Sequence, residues 1–261
     1  MEYKQLKLWF DKELAELLAD KLLANKVDFD KTSFVHEIEN KVEGLELKDR
    51  IECIADALKI YLPGHYDTAI SQLMEVLGPE NDKETGMFKQ YYWVMPIAKY
   101  VEKYGFENLQ TSMKAIYEIT KRNTGEYAIR PFLKAYPHET LKTMYAWSKD
   151  GNKHVRRLSS EGVRPRLPWA QKLDQFIENP IPILPILENL KDDNSRYVQK
   201  SVANCINDIL KDNETLGKEL IEGWVPRSSQ NRNWIIKHAL RNLLKRDVAW
   251  AREMVIELGI A

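Results

Sequence analysis

A short unit recurs three times in the second half of the chain, and such a repeat limits the fold more than any single motif could. Lys153-His154-Val155-Arg156-Arg157 follows Asp150-Gly151, and Arg196-Tyr197-Val198-Gln199-Lys200 follows Asp193-Asn194. Asn233-Trp234-Ile235-Ile236-Lys237 follows Asn231-Arg232. Each copy has a turn, then a ring or histidine, then a β-branched residue, then a cation. Val155 and Val198 are 43 residues apart, and Val198 and Ile235 are 37 apart. A fainter copy, Tyr127-Ala128-Ile129-Arg130, lies upstream. A unit of this size cannot bury its own apolar face and must stack on its neighbours.

The rest of the chain agrees with stacked helices. Apolar residues recur at three and four positions, as in Leu14, Leu17, Leu18, Leu22 and in Leu109, Met113, Ile116, Tyr117. Helix stops and starts arrive at Pro63-Gly64, Gly78-Pro79, Gly105, Gly125, Pro137, Gly151, Pro165, Asn179-Pro180 and Gly223. No stretch alternates convincingly as a half-buried strand. The expected class is all-α, and a helix pair of about 40 residues resembles the HEAT repeat, the unit of an α-solenoid superhelix. A single repeat domain is expected over 1–261, with 1–78 as a helical brace and 79–261 carrying the site. Pro185 falls in the first turn of the helix before the second copy, where a missing N–H costs nothing. Equivalent positions of successive repeats align, so Arg157, Lys200 and Lys237, with Arg130, are expected to form a row of cations. Such a row suits a phosphate backbone; an ordinary solvated surface is the competing reading.

Charge distribution sharpens the question. The formal net charge is zero, but residues 1–120 hold 15 Lys and Arg against 22 Asp and Glu, while residues 121–261 hold 24 against 17. Such asymmetry orients a field that steers a polyanion to one end. The two cysteines, Cys53 and Cys205, have no paired spacing, which excludes a cysteine metal cluster and fits a reducing compartment. The five histidines have no metal-ligand spacing, and no glycine-rich phosphate loop is present. No apolar run approaches the ~20 residues needed to span a bilayer. The start, Met1-Glu2-Tyr3-Lys4, shows no export signal. A cytoplasmic monomer without metal, cofactor or membrane attachment is expected.

The run from Lys153 to Trp169, KHVRRLSSEGVRPRLPW, concentrates the chemistry. Val155, Leu158 and Gly162 fall on one helical face, while Arg157 and Glu161 share another. Proline at 165 pushes Arg164 out of helical geometry. Four arginines, Arg156, Arg157, Arg164 and Arg166, accompany the single carboxylate Glu161. In one reading Glu161 is a surface salt-bridge partner worth roughly 0.3–0.5 kcal/mol. In the other, arginine forks hold phosphates while Glu161 meets an electron-poor sugar carbon. Trp169 is read either as core or as a platform for a sugar or base.

The run His154–Trp169, with Glu126-Tyr127-Ala128-Ile129-Arg130-Pro131-Phe132 and the segment Arg196 to Asp208, resembles the AlkC branch of the AlkC/AlkD DNA alkylation-repair glycosylases. The likeness extends over roughly residues 80–250. It implies a HEAT-like solenoid that binds duplex DNA and excises cationic N-alkylated bases such as N3-methyladenine, with N3-methylcytosine and N7-methylguanine as further substrates. It further implies active-site carboxylates at Glu126, Glu161 and Asp208, contacting arginines at Arg157 and Arg164, and an aromatic contact at Trp169. Asp208 lies off the stripe of Val198, Val202, Cys205, Ile206 and Ile209, so a groove-facing position is open to it. Some relatives carry a C-terminal β-sandwich. This sequence ends at Ala261, so no DNA grip from such a module is expected.

Alkylation at a purine N3 or N7 makes the base cationic, so it departs neutral and needs no acid. The sugar must then be stabilised as it becomes oxocarbenium-like, which is work for a fixed carboxylate. Two other functions fit a HEAT-type chain: a non-enzymatic scaffold for a protein partner, and a DNA-binding repeat protein without catalysis.

Overall fold

The computed structural model describes residues 4–62, 64–84, 90–226 and 229–259; of the positions discussed above, Met1, Glu2, Tyr3, Pro63 and Ala261 lie outside them. The described residues form α-helices and short 3-10 turns and contain no strand. None of these helices is long and apolar enough to cross a membrane. Two compact units divide the chain: residues 1–82 with 86–129, and residues 83–85 with 130–261.

The first unit contains α1 (Lys12–Ala24), α2 (Lys31–Lys41), α3 (Leu47–Tyr61), α4 (Tyr66–Glu75), α5 (Met95–Tyr104) and α6 (Leu109–Thr120). Its first two helices begin where the sequence supplies acceptors for orphan N–H groups. The Asp11 carboxylate accepts from the amides of Glu13 and Leu14, and Asp30 accepts from Ser33. Helix α1 packs on α2, α2 on α3, α3 on α5, and α6 on both α4 and α5. Leu14, Leu18, Leu22, Phe34, Ile38, Ile54 and Leu58 fill the interior.

The second unit carries α7 (Ile129–Ala135) from Arg130 onward, α8 (Pro137–Trp147), α9 (Lys153–Glu161), α10 (Asp174–Glu178), α11 (Leu184–Leu190), α12 (Arg196–Asp212), α13 (Glu214–Trp224), α14 (Gln230–Lys245) and α15 (Ala249–Glu257). The first two copies open α9 and α12, whereas the third begins at the fourth residue of α14, so that Asn231-Arg232, expected as a turn, lies within its first turn; α12 packs between α9 and α14. Each helix opens on a capped turn: Asn152, Ser195 and Ser229 accept from the amides of His154, Val198 and Arg232. Val155, Val198 and Ile235 are all fully buried, as their shared register requires. Helices α8, α11 and α13 cover this layer from behind, packing on α9, α12 and α12 in turn. The all-α, HEAT-like class is therefore what the periodicity predicts.

The unequal spacing of the copies also has a physical cause. Asn213 closes α12 and opens α13, so no loop separates these helices. Gly217 permits the close approach, since a Cβ there would lie 2.7 Å from Leu210 Cδ2. Between α9 and α11, by contrast, the chain inserts residues 162–173 and the short α10. That insertion carries Arg164, Arg166 and Trp169.

Candidate active site

Helix α9 ends at Glu161 because Arg164-Pro165 cannot continue it. Arg164 then folds back beneath the helix end. Its Nη1 donates to Glu161 Oε1 at 2.7 Å, and its Nε and Nη2 donate to the two carboxylate oxygens of Asp208 at 2.9 and 3.4 Å. Asp208 reaches this point from α12. One guanidinium thus bridges carboxylates from two repeats, with 7% of Arg164, 5% of Glu161 and 9% of Asp208 exposed. Arg157, one turn before Glu161, closes a second ion pair at 3.5 Å. The surface salt-bridge reading of Glu161 does not survive this burial.

Burying a carboxylate costs several kcal/mol unless charge and hydrogen bonds offset it. Burial pushes the Glu161 carboxyl up, but Arg157, Arg164 and the Ser201 hydroxyl outweigh it and leave the group below its ordinary 4.5. For Asp208 the balance reverses: burial dominates over Arg164 and holds the carboxyl above its ordinary 3.8. Two neighbouring acids are therefore split into one firmly ionised and one with greater proton affinity. Burial opposes the charge of Arg164, yet the two carboxylates hold its protonated form firmly. Ser160 and Ser201, both buried, bond each other at 2.7 Å beneath the cluster. The nearby Cys205 thiol is pushed well up by burial and is no nucleophile.

The remaining arginines divide by task. Arg130, buried, spends its guanidinium on carbonyls: Gln171 at 2.9 and 2.6 Å, Gly162 at 3.0 Å and Arg164 at 2.8 Å. This clamps both ends of the inserted loop, which differs from the phosphate-facing place expected in the cation row. Arg156 forks onto Asp193 at 2.6 and 3.2 Å and onto the carbonyls of Asp150 and Gly151, both at 3.0 Å. Arg166 forks onto Asp212 at 2.6 and 2.7 Å. Of the four arginines around Glu161 in sequence, Arg157 and Arg164 alone pair with it among the described contacts.

The row across α9, α12 and α14 is built from cations on rings. The Arg157 guanidinium lies 4.9 Å from the Tyr197 ring centre, and Arg196 lies 4.0 Å from that of Trp234. Trp234 stacks on His238 at 4.7 Å. Lys200 and Lys237 are exposed on α12 and α14. Trp169 is 80% exposed and has a left-handed backbone, φ +66°, a conformation that a bulky residue adopts at a cost. Its reading as core is thereby excluded.

Glu126 belongs to the first unit, in the turn before α7. It is buried, with Thr124 Oγ1 donating to its Oε2 at 3.0 Å and its own amide donating back to Thr124 Oγ1 at 3.2 Å. Sequence reading missed Ser201 as a support for Glu161 and Arg130 as a loop clamp. The first is visible only as a serine facing another serine across repeats; a lone buried arginine gives no signal in sequence.

Among the described residues no cluster of three or more His, Cys, Asp or Glu side chains could hold a metal. A family model described as "DNA alkylation repair enzyme" matches residues 100–243, more than half of the chain. An uncharacterized protein of Bacillus subtilis (strain 168), YhaZ, is 37% identical over 243 residues, covering 92% of this chain and 65% of that relative. The chain thus spans about two thirds of the length of its curated relative. The alkylpurine DNA glycosylase AlkC of Pseudomonas fluorescens, solved bound to DNA containing an abasic site analog, superposes with a TM-score of 0.87 at 34% identity, over 97% of this chain and 68% of that one. By the family match over more than half of its length and this superposition, the chain belongs to the DNA alkylation repair enzyme family and has the HEAT-like fold of AlkC.

Proposed function

We propose that this protein is a DNA glycosylase that hydrolyses the N-glycosidic bond of cationic alkylated bases in duplex DNA. One observation carries the reading: Glu161 is buried, yet two arginines keep it ionised. A fixed negative charge in a poorly solvated place is what an oxocarbenium-like sugar requires. The likeness to an alkylpurine DNA glycosylase supports the same substrate class.

In this reaction the C1′–N bond breaks and its electron pair neutralises the cationic base, which leaves without an acid. Water adds to C1′ and gives up one proton, leaving an abasic sugar. Glu161 opposes the charge that develops on the sugar and orients the water. Asp208, with its higher proton affinity, holds Arg164 and stands as the acceptor for the proton that water releases. Glu126 is proposed as a further required carboxylate, tested by its own variant. Arg157, Lys200, Lys237 and Trp169 are proposed to contact the DNA. Arg130, Arg156, Arg164 and Arg166, each bonded to carbonyls or carboxylates of the protein, act by holding the loop and the carboxylates.

Charge balance favours one other reading. Glu161 and Asp208 against Arg157 and Arg164 form a neutral quartet, as a purely structural cluster in a DNA-binding scaffold would. A lesion panel separates the two. Duplexes carrying N3-methyladenine, N7-methylguanine or N3-methylcytosine should release free base in EDTA, whereas uracil and hypoxanthine, neutral and poor leaving groups, should stay attached. Release of neutral and cationic bases at equal rates would contradict the mechanism, and release of none would favour the scaffold.

A further inference from the structure

Positions 161, 204 and 241 are separated by the same 43 and 37 residues as Val155, Val198 and Ile235. Glu161 on α9, Asn204 on α12 and Arg241 on α14 are therefore equivalent residues of successive helices in one layer. Contacts agree with this register. Arg241 Nη2 donates to Asn204 Oδ1 at 2.9 Å, and Nη1 donates to the His238 carbonyl at 2.7 Å. These bonds draw the guanidinium across onto α12, toward the helix that supplies Asp208.

Arg241 differs from the arginines already described. Arg156, Arg164 and Arg166 each grip a carboxylate. Arg241 is half-buried and bonds an amide oxygen and a carbonyl, with no carboxylate within ion-pair distance among the described residues. Its two bonds leave further N–H donors of the guanidinium unused. Arg196, Lys200 and Lys237 share its two helices and add positive charge, while burial and the neighbouring cations push the His238 imidazole toward its neutral form. Burial and then the charge of Arg164 lower its hold on the proton, with Asp208 opposing only in part. A half-buried cation whose nearest carboxylate, Asp208, is already gripped by Arg164 is only partly compensated and costs a fold stability. That cost is repaid where a ligand brings the anion.

We propose that Arg241, with Lys200 one helical turn before its partner Asn204, binds a backbone phosphodiester of the DNA strand that presents its damaged nucleotide to Glu161. The inference rests on the glycosylase reading above. Neighbouring helix axes lie about 8–10 Å apart, and a strand carries one phosphate per about 3.4 Å of duplex axis. One helix spacing therefore corresponds to about two or three nucleotides. Arg241 fixes the register of the strand while Glu161 acts on the sugar.

The test is fluorescence-anisotropy titration of a labelled duplex containing a tetrahydrofuran abasic analogue, repeated across salt concentrations. Arg241→Gln should bind about tenfold more weakly at low salt, with a log Kd against log salt slope shallower by about one. Arg241→Lys should restore the slope. The Tm of Arg241→Gln should equal or exceed that of wild type, because a half-buried and only partly compensated charge has been removed. An unchanged slope and affinity in Arg241→Gln overturn the proposal. So does a fall in Tm shared by both variants, which marks a packing residue. If wild type releases alkylated bases and these results still appear, only the phosphate site is lost; if wild type neither binds duplex nor releases base, the glycosylase reading falls with it.

Discussion

Replacing Arg164 with methionine is expected to destabilise the protein by about 3–5 kcal/mol, the range for removing one partner of a buried ion pair. The guanidinium is the bond between α9 and α12 at this point, reaching Glu161 at 2.7 Å and Asp208 at 2.9 Å. Without it, two buried carboxylates lose their shared guanidinium, and Arg157, at 3.5 Å from Glu161, is the ion-pair partner left among the described contacts. For a chain of this size the loss corresponds to a Tm lower by about 10 °C. Arg164→Lys should recover little, because a single ammonium cannot fork onto two carboxylates. The deficit should depend on pH. Glu161 is held below its ordinary 4.5, so its contribution to stability is present above that value and is lost as pH falls through the depressed one. Thermal melts of wild type and Arg164→Met should therefore converge in acid. Parallel melts at every pH would mean that the side chain matters through its packing.

Glu161→Gln carries the largest expected effect on activity, a loss of about 10²–10³-fold in the single-turnover rate of base release. The substitution keeps shape and removes charge. Arg157 and Arg164 would still find an acceptor in the amide oxygen, so folding should be far better preserved than in Arg164→Met. DNA binding should be retained or tightened, since an anion facing a polyanion has been neutralised. Glu126→Gln, measured alongside, asks the same of the carboxylate in the first unit. A fall in Tm and in DNA affinity equal to the fall in rate would assign Glu161 to structure, as the neutral quartet permits.

The parts of this molecule that repeat were the parts its sequence disclosed. Val155, Val198 and Ile235 face the core because the repeat register puts them there, while the caps Asn152, Ser195 and Ser229 became apparent only in the structure. Glu161 and Arg157 came together because four residues on a helix share a face. Asp208 came from its place off the apolar stripe and from family likeness, yet its attachment to Arg164 depends on how α9 packs against α12, which periodicity does not encode. The inserted loop was the least legible part. Four arginines close in sequence looked alike, but Asp193 and Asp212, distant along the chain, draw two of them away. The left-handed backbone that turns Trp169 outward has no signal in an R-L-P-W string. Arg241 was present in the register all along, two repeats beyond Glu161, and escaped notice because its partners are not acidic.

The most direct test of the account is to identify what wild-type protein makes from a duplex carrying N3-methyladenine, in EDTA. Free N3-methyladenine in equal amount to new abasic sites, with the strand uncut until alkali is added, is the predicted result. Adenine restored within intact DNA, or bound duplex with no base released, would contradict the claim that a buried carboxylate draws the sugar and a cationic base apart.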